Sequence, residues 1–263
     1  MDVIFVFCGA LIIIFGWMYF SQEKLIFLNG NRLDKNYTYK FSHDFEELFL
    51  KTEDGNHINA LHFKLEKPKG VVLFCHGNSG NLDKWGANVS FFLDFNYEVL
   101  VFDYRNYGKS TGNFNEEKMY TDALFVYGYL HNLFKEETIV VYGFSLGSTF
   151  ATRIAAVNNP KELILEAPFF NFKKAVQHYS KCVPLFLLKY QFRTDLDIVK
   201  VTAPITIFHG NKDTITPFKG AKMLFELNSS MSNSFIEIDG GTHHNIREHK
   251  LYLKRLQEIL ERL

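Results

Sequence analysis

Six short apolar runs rich in β-branched residues recur along the chain, at 70–75, 99–102, 138–142, 163–165, 205–208 and 235–238. Amphipathic stretches separate most of them, at 116–134, 146–158 and 218–227, and a last one at 249–263 closes the chain. A strand that reads as a continuous hydrophobic run is covered on both faces, and strand–helix alternation feeds a parallel sheet. The expected fold class is therefore α/β, with a mostly parallel central sheet and helices on both faces. Two further extended runs, 47–52 and 58–65, precede the alternation, and Asp54-Gly55 between them is a hairpin signal. A chain of 263 residues holds one such domain and a short appendage.

The appendage is N-terminal. Residues 3–20 read VIFVFCGALIIIFGWMYF without a charge, about the length of the shortest bilayer-crossing helix. Trp17 and Tyr19 lie at its far end, where aromatic rings favour the headgroup region. Met1-Asp2 offers no basic n-region for a cleaved signal. The expectation is a single-pass membrane anchor over 1–21 and a juxtamembrane connector over 22–45, with the remaining domain at 46–263. Lys24, Arg32, Lys35 and Lys40 follow the segment and no basic residue precedes it, which places the domain on the cytoplasmic face. Between Pro168 and Pro204 no core strand is evident, and 169–200, with the amphipathic run PLFLLKYQF at 184–192, is a candidate small lid.

Composition narrows the function. Lys plus Arg and Asp plus Glu both number 29, and no basic face stands out, so a nucleic-acid partner is not expected. Cys8, Cys75 and Cys182 are scattered and odd in number, and give neither a disulfide framework nor a metal motif. His243, His244 and His249 lack a metal-ligand spacing, so no metal or other cofactor is expected.

Four motifs carry chemistry. Gly143-Phe144-Ser145-Leu146-Gly147 lies between the buried run TIVVY and the helical stretch STFATRIAAV, which sets Ser145 on a sharp strand-to-helix turn. The glycines let neighbouring backbone pass close by, and the helix start favours developing negative charge. His76-Gly77-Asn78-Ser79-Gly80-Asn81 follows the run GVVLFC. Its natural role is half an oxyanion hole through the backbone N–H of Asn78, with that of Leu146 as the other half. His76 is expected to hold the loop rather than act as a base. His209-Gly210-Asn211-Lys212-Asp213 puts Asp213 at a strand's C-terminal end, where a carboxylate can orient a histidine. Gly240-Gly241-Thr242-His243-His244-Asn245 follows SFIEI, and one of its two histidines is the candidate general base.

With these residues in order, the chain resembles the α/β-hydrolase superfamily, in particular its small membrane-anchored serine hydrolases. The likeness runs from Leu25-Ile26-Phe27 to the final helix. It rests on HGNSGN at 76–81, DYRNYGKSTG at 103–112, GFSLG at 143–147, EAPF at 166–169 and HGNKDTITP at 209–217. The chain order Ser, Asp, His is that of this fold. In the family the catalytic histidine tends to be followed by Asn, so the resemblance implies His244, with Ser145 and Asp213, as the triad. Asn106 stands where the family usually has Gly, and Thr216 where it usually has Val. The resemblance implies acyl transfer through a covalent intermediate, on carboxylic ester or thioester bonds of small, lipid-like or acyl-protein substrates. An acyltransferase or amidase would use the same triad. A non-catalytic membrane-bound interaction protein on this scaffold is expected to lack a triad member, whereas all three positions are filled.

Overall fold

The computed structural model describes residues 2–27, 32–181 and 183–262; within the first helix, the side chains of 2–4, 6, 8 and 11 lie outside the description. Among the described residues there are eight strands: β1 (Phe45–Lys51), β2 (His57–Phe63), β3 (Gly70–Cys75), β4 (Tyr97–Phe102), β5 (Ile139–Phe144), β6 (Glu162–Glu166), β7 (Ile205–Gly210) and β8 (Ser234–Ile238). They form one sheet in the order β1-β2-β4-β3-β5-β6-β7-β8. β1 and β2 pair antiparallel across the turn at Asp54-Gly55, β2 meets β4 antiparallel, and every later pairing is parallel. Each apolar run of the sequence is a strand here.

The helices are α1 (Asp2–Ile26), α2 (Leu82–Val89), α3 (Glu116–His131), α4 (Gly147–Val157), α5 (Phe172–Tyr179), α6 (Thr194–Asp197), α7 (Phe218–Glu226) and α8 (Lys250–Arg262). The two-residue period of the strands divides the core. Val71, Leu73 and Cys75 of β3, with Ile139 and Val141 of β5, face α3 and α4 through Ala123, Val126, Phe150 and Ile154. Val72, Phe74, Val140 and Tyr142 face the other way, onto Leu82, Trp85 and Val89 of α2 and Leu256 and Leu260 of α8. The central strands are buried along their whole length, save the half-buried Phe144 at the end of β5, because both faces are covered.

Three differences from the sequence reading have physical causes. α2 spans only 8 residues and carries Gly86, so no long period announces it. Its start is fixed instead by Asn81, whose side chain accepts from the N–H of Asp83. The run 184–192 is not an α-helix: it holds one 3₁₀ turn, Leu185–Leu187, after Pro184, and its amphipathic look comes from leaning on α1. Within the candidate lid at 169–200 the longest helix lies earlier, at α5.

α1 continues past the expected anchor end at residue 21, to Ile26. Among the described residues no helix is long and apolar enough to cross a membrane. The anchor expected over 3–20 falls in part on side chains outside the description, as does Cys8, and Cys182 is likewise outside it.

Candidate active site

Gly143 ends the buried run of β5 and Gly147 opens α4, with Ser145 in the turn between them. Ser145 has φ +51°, a left-handed conformation that L side chains seldom adopt. The turn holds because its surroundings leave no alternative. A Cβ on Gly147 would meet the carbonyl oxygen of Cys75, and one on Gly143 would lie 2.6 Å from Cα of Ser148. The Ser145 N–H donates to the carbonyl of Glu166 at 2.9 Å, and the Ser145 carbonyl accepts from the N–H of Ser148 at 3.0 Å.

The ring that meets Ser145 belongs to His243. Its Nε2 lies 3.0 Å from Ser145 Oγ and its Nδ1 lies 2.8 Å from Asp213 Oδ2. An ionised carboxylate only accepts, so Nδ1–H donates to Asp213 and Nε2 is left to accept from the serine hydroxyl. His244, the residue implied by the family pattern, is not in this array: it is exposed, and its ring stands at 86° to that of His243 with 5.1 Å between centroids. Asn245 explains the reversal. Its Oδ1 accepts from the Thr242 N–H at 2.7 Å and from the Thr242 hydroxyl at 2.9 Å. That clasp fixes the turn that points His243 inward and His244 out. The histidine followed directly by Asn is the one that turns away from Ser145 and Asp213. Burial first, and then the neighbouring His243 and Lys84, lowers the His244 pKa.

Asp213 is held on every side. Oδ1 accepts from the N–H groups of Ile215 and Thr216, each at 2.8 Å, and Oδ2 accepts from the Thr216 hydroxyl at 2.7 Å as well as from His243. Burial alone would raise its pKa, but the bonds from His243 and Thr216 outweigh that and lower it. Thr216, a family departure of no evident consequence in the sequence, is therefore a direct partner of the carboxylate. His209 is buried behind it, with Nε2–H donating to the Thr216 carbonyl at 2.9 Å, and burial lowers its pKa.

The HGNSGN loop folds over the serine. His76 is fully buried, its ring stacked near Trp85 and Tyr104, with Nδ1–H donating to the Gly77 carbonyl at 2.7 Å and Nε2 3.2 Å from Asp103. Its two ring nitrogens thus face the loop's own Gly77 carbonyl and the Asp103 carboxylate. The Asn78 side chain accepts from the Tyr107 hydroxyl at 2.7 Å and donates to the carbonyl of Ile26, in α1. Asn78, Ser145 and Leu146 line one cavity together. Asn106, which stands where the family usually has Gly, takes a left-handed conformation at φ +67°.

One feature of the site had no sequence signal. Arg247, from the segment before α8, donates to Glu166 Oε2 at 2.8 Å and stands over the rings of Phe74 and Phe144. Glu166 also accepts from the Tyr142 hydroxyl at 2.6 Å. Burial would lower the Arg247 pKa, but Glu166, Tyr142 and Tyr252 raise it, so the guanidinium stays charged. Only the fold brings these residues together, from β5, β6 and the last loop.

A strained strand-to-helix turn at Ser145 above a mostly parallel eight-stranded sheet defines the class, and sequence comparison agrees: the chain belongs to the α/β-hydrolase fold family. The model of that family matches residues 70–190. An uncharacterized protein of Acanthamoeba polyphaga mimivirus is 30% identical over 223 residues, 75% of each chain. The lysophosphatidylserine lipase ABHD12 of Danio rerio is 27% identical over 78% of this chain and 66% of its own length. Among solved structures, an esterase of Pyrococcus furiosus superposes with a TM-score of 0.71 at 21% identity, covering 88% of this chain and 97% of that one, a likeness of fold.

Proposed function

We propose that the chain is a serine hydrolase that cleaves carboxylic ester or thioester bonds through an acyl-enzyme. The observation that carries this reading is the unbroken path from Ser145 Oγ through His243 to Asp213. His243 takes the serine proton through Nε2 as Oγ attacks the carbonyl carbon. Asp213 holds the Nδ1 tautomer and stabilises the imidazolium. The backbone N–H groups of Asn78 and Leu146 receive the oxyanion. His243 then returns its proton to the departing alkoxide or thiolate. Water, activated by the same ring, releases the acid.

Lipid-like acyl substrates suit the setting. Phe5, Ile12, Ile13, Trp17 and Phe20 are exposed on α1, and Phe186, 79% exposed, lies beside Phe15. Together with the uncharged run at 3–20, this favours attachment of α1 to a bilayer, with the domain on its cytoplasmic side and 169–200 as the lid. The lipase named for the Danio rerio relative points to the same class of substrate.

Labelling of the full chain with a fluorophosphonate tests the reading. Wild type is expected to label, Ser145→Ala not at all, and His243→Ala far more slowly. Labelling that survives Ser145→Ala removes the nucleophile assignment.

A further inference from the structure

Two cavities meet at Ser145, and they differ in character. The larger, of 740 Å³, is lined by Lys84, Asn88, His243, His244 and Arg247 among others. The smaller, of 390 Å³, is apolar, walled by Leu25 and Ile26 of α1, Phe172 and Val176 of α5, and Leu188, and it ends on Ser145 and Leu146. Its α1 wall is fixed in place by specific bonds. Gln22, buried, donates from Nε2 to the Leu187 carbonyl at 2.8 Å and accepts at Oε1 from the Lys189 N–H at 3.0 Å. The Tyr190 hydroxyl donates to Glu23 at 3.0 Å, and Asn78 donates to the Ile26 carbonyl.

We propose that the smaller cavity is the acyl-chain site and that the last turn of α1 is one of its walls. The substrate is then a single-chain acyl ester or thioester, its chain lying along Leu25 and Ile26 and its polar leaving group in the larger cavity. This rests on the reading of Ser145 as nucleophile. The position of the base assigns the two halves. His243 must hand its proton to the leaving group, and His243 lines the larger cavity and not the smaller. When the Ser145 Oγ–carbon bond forms and the bond to the leaving oxygen or sulfur breaks, that atom departs on the His243 side. The chain on the other side of the carbonyl is left facing apolar walls. Each methylene buried there is worth about fourfold in kcat/KM.

The test uses the full chain in detergent micelles, with p-nitrophenyl acetate and p-nitrophenyl decanoate as probes. In wild type the decanoyl ester is expected to be the better substrate. Leu25→Trp, at a position 66% exposed and so tolerant of a larger ring, and Ala175→Phe, on the α5 wall, both fill the cavity. Each is expected to lower the decanoyl-to-acetyl ratio of kcat/KM by about tenfold or more, while Leu251→Trp on the exposed face of α8 leaves the ratio where it was. Fluorophosphonate labelling at Ser145 certifies that each variant is folded. A ratio unchanged in both cavity variants overturns the acyl site while leaving the nucleophile in place. A wild type that fails to label overturns the underlying reading, and the site with it.

Discussion

His243 Nδ1 and Asp213 Oδ2 lie 2.8 Å apart, and this bond selects one histidine from an adjacent pair. Substitution separates the two. His243→Ala is expected to lower kcat/KM on a p-nitrophenyl ester by about 10³-fold or more. His244→Ala is expected to stay near wild type, because its ring contacts neither Ser145 nor Asp213. Equal losses in the two variants would mean that the working enzyme turns this loop around.

Thr216 gives a finer prediction. Its hydroxyl donates to Asp213 Oδ2 and comes within 3.2 Å of His243 Nδ1, so it fixes the carboxylate oxygen that the histidine uses. Thr216→Val keeps the shape and both backbone donors to Oδ1. The expected effect is a loss of about ten- to 150-fold in kcat with KM little changed, the cost of one bond to a charged group. A thermal melt should show a fold close to wild type. An unaltered kcat would mean that the backbone donors alone hold Asp213.

The buried His209 predicts how stability responds to acid. Its pKa is lowered in the fold, chiefly by burial, relative to the value in an unfolded chain. The unfolded state therefore binds the proton first. The contribution is fully present above the unfolded value of about 6.5 and is lost as pH falls through the folded value, at up to about 1.4 kcal/mol per pH unit. His209→Gln keeps a donor for the Thr216 carbonyl but does not titrate. Urea midpoints measured from pH 7.5 down to pH 5 should fall less steeply in this variant than in wild type. Parallel slopes would remove His209 as a source of acid sensitivity.

These residues also show which parts of the molecule were legible before its structure. The strands were readable because both faces of the sheet are buried, so the middles of β3 to β7 appear as short, mostly apolar runs. The turns that carry Ser145 and Asp213 were readable because each follows such a run, at the edge where loops gather. The histidine was not, because two identical rings stand side by side and a clasp between Thr242 and Asn245 decides which one turns inward. That is a matter of loop conformation, which leaves no period in the sequence. The walls of the apolar cavity were hidden for a different reason. Leu25 and Val176 are far apart in the chain, and α1 read as an appendage rather than as part of the site.

The pair of Arg247 and Glu166 supports the last prediction. Glu166 is almost wholly buried, and its backbone carbonyl holds the Ser145 N–H, so its side chain's partner stabilises the strand end beneath the nucleophile. Arg247→Met removes the cation and leaves a buried carboxylate with the Tyr142 hydroxyl, a change expected to destabilise the fold by about 3 kcal/mol. Adding Glu166→Gln removes the orphaned charge while preserving size and hydrogen bonding, and should recover a good part of that loss. Denaturant melts of the two single variants and the double variant form a cycle that reads the coupling directly. Strict additivity would mean that Arg247 acts mainly through the aromatic rings it covers, Phe74 and Phe144, and not through its charge on Glu166.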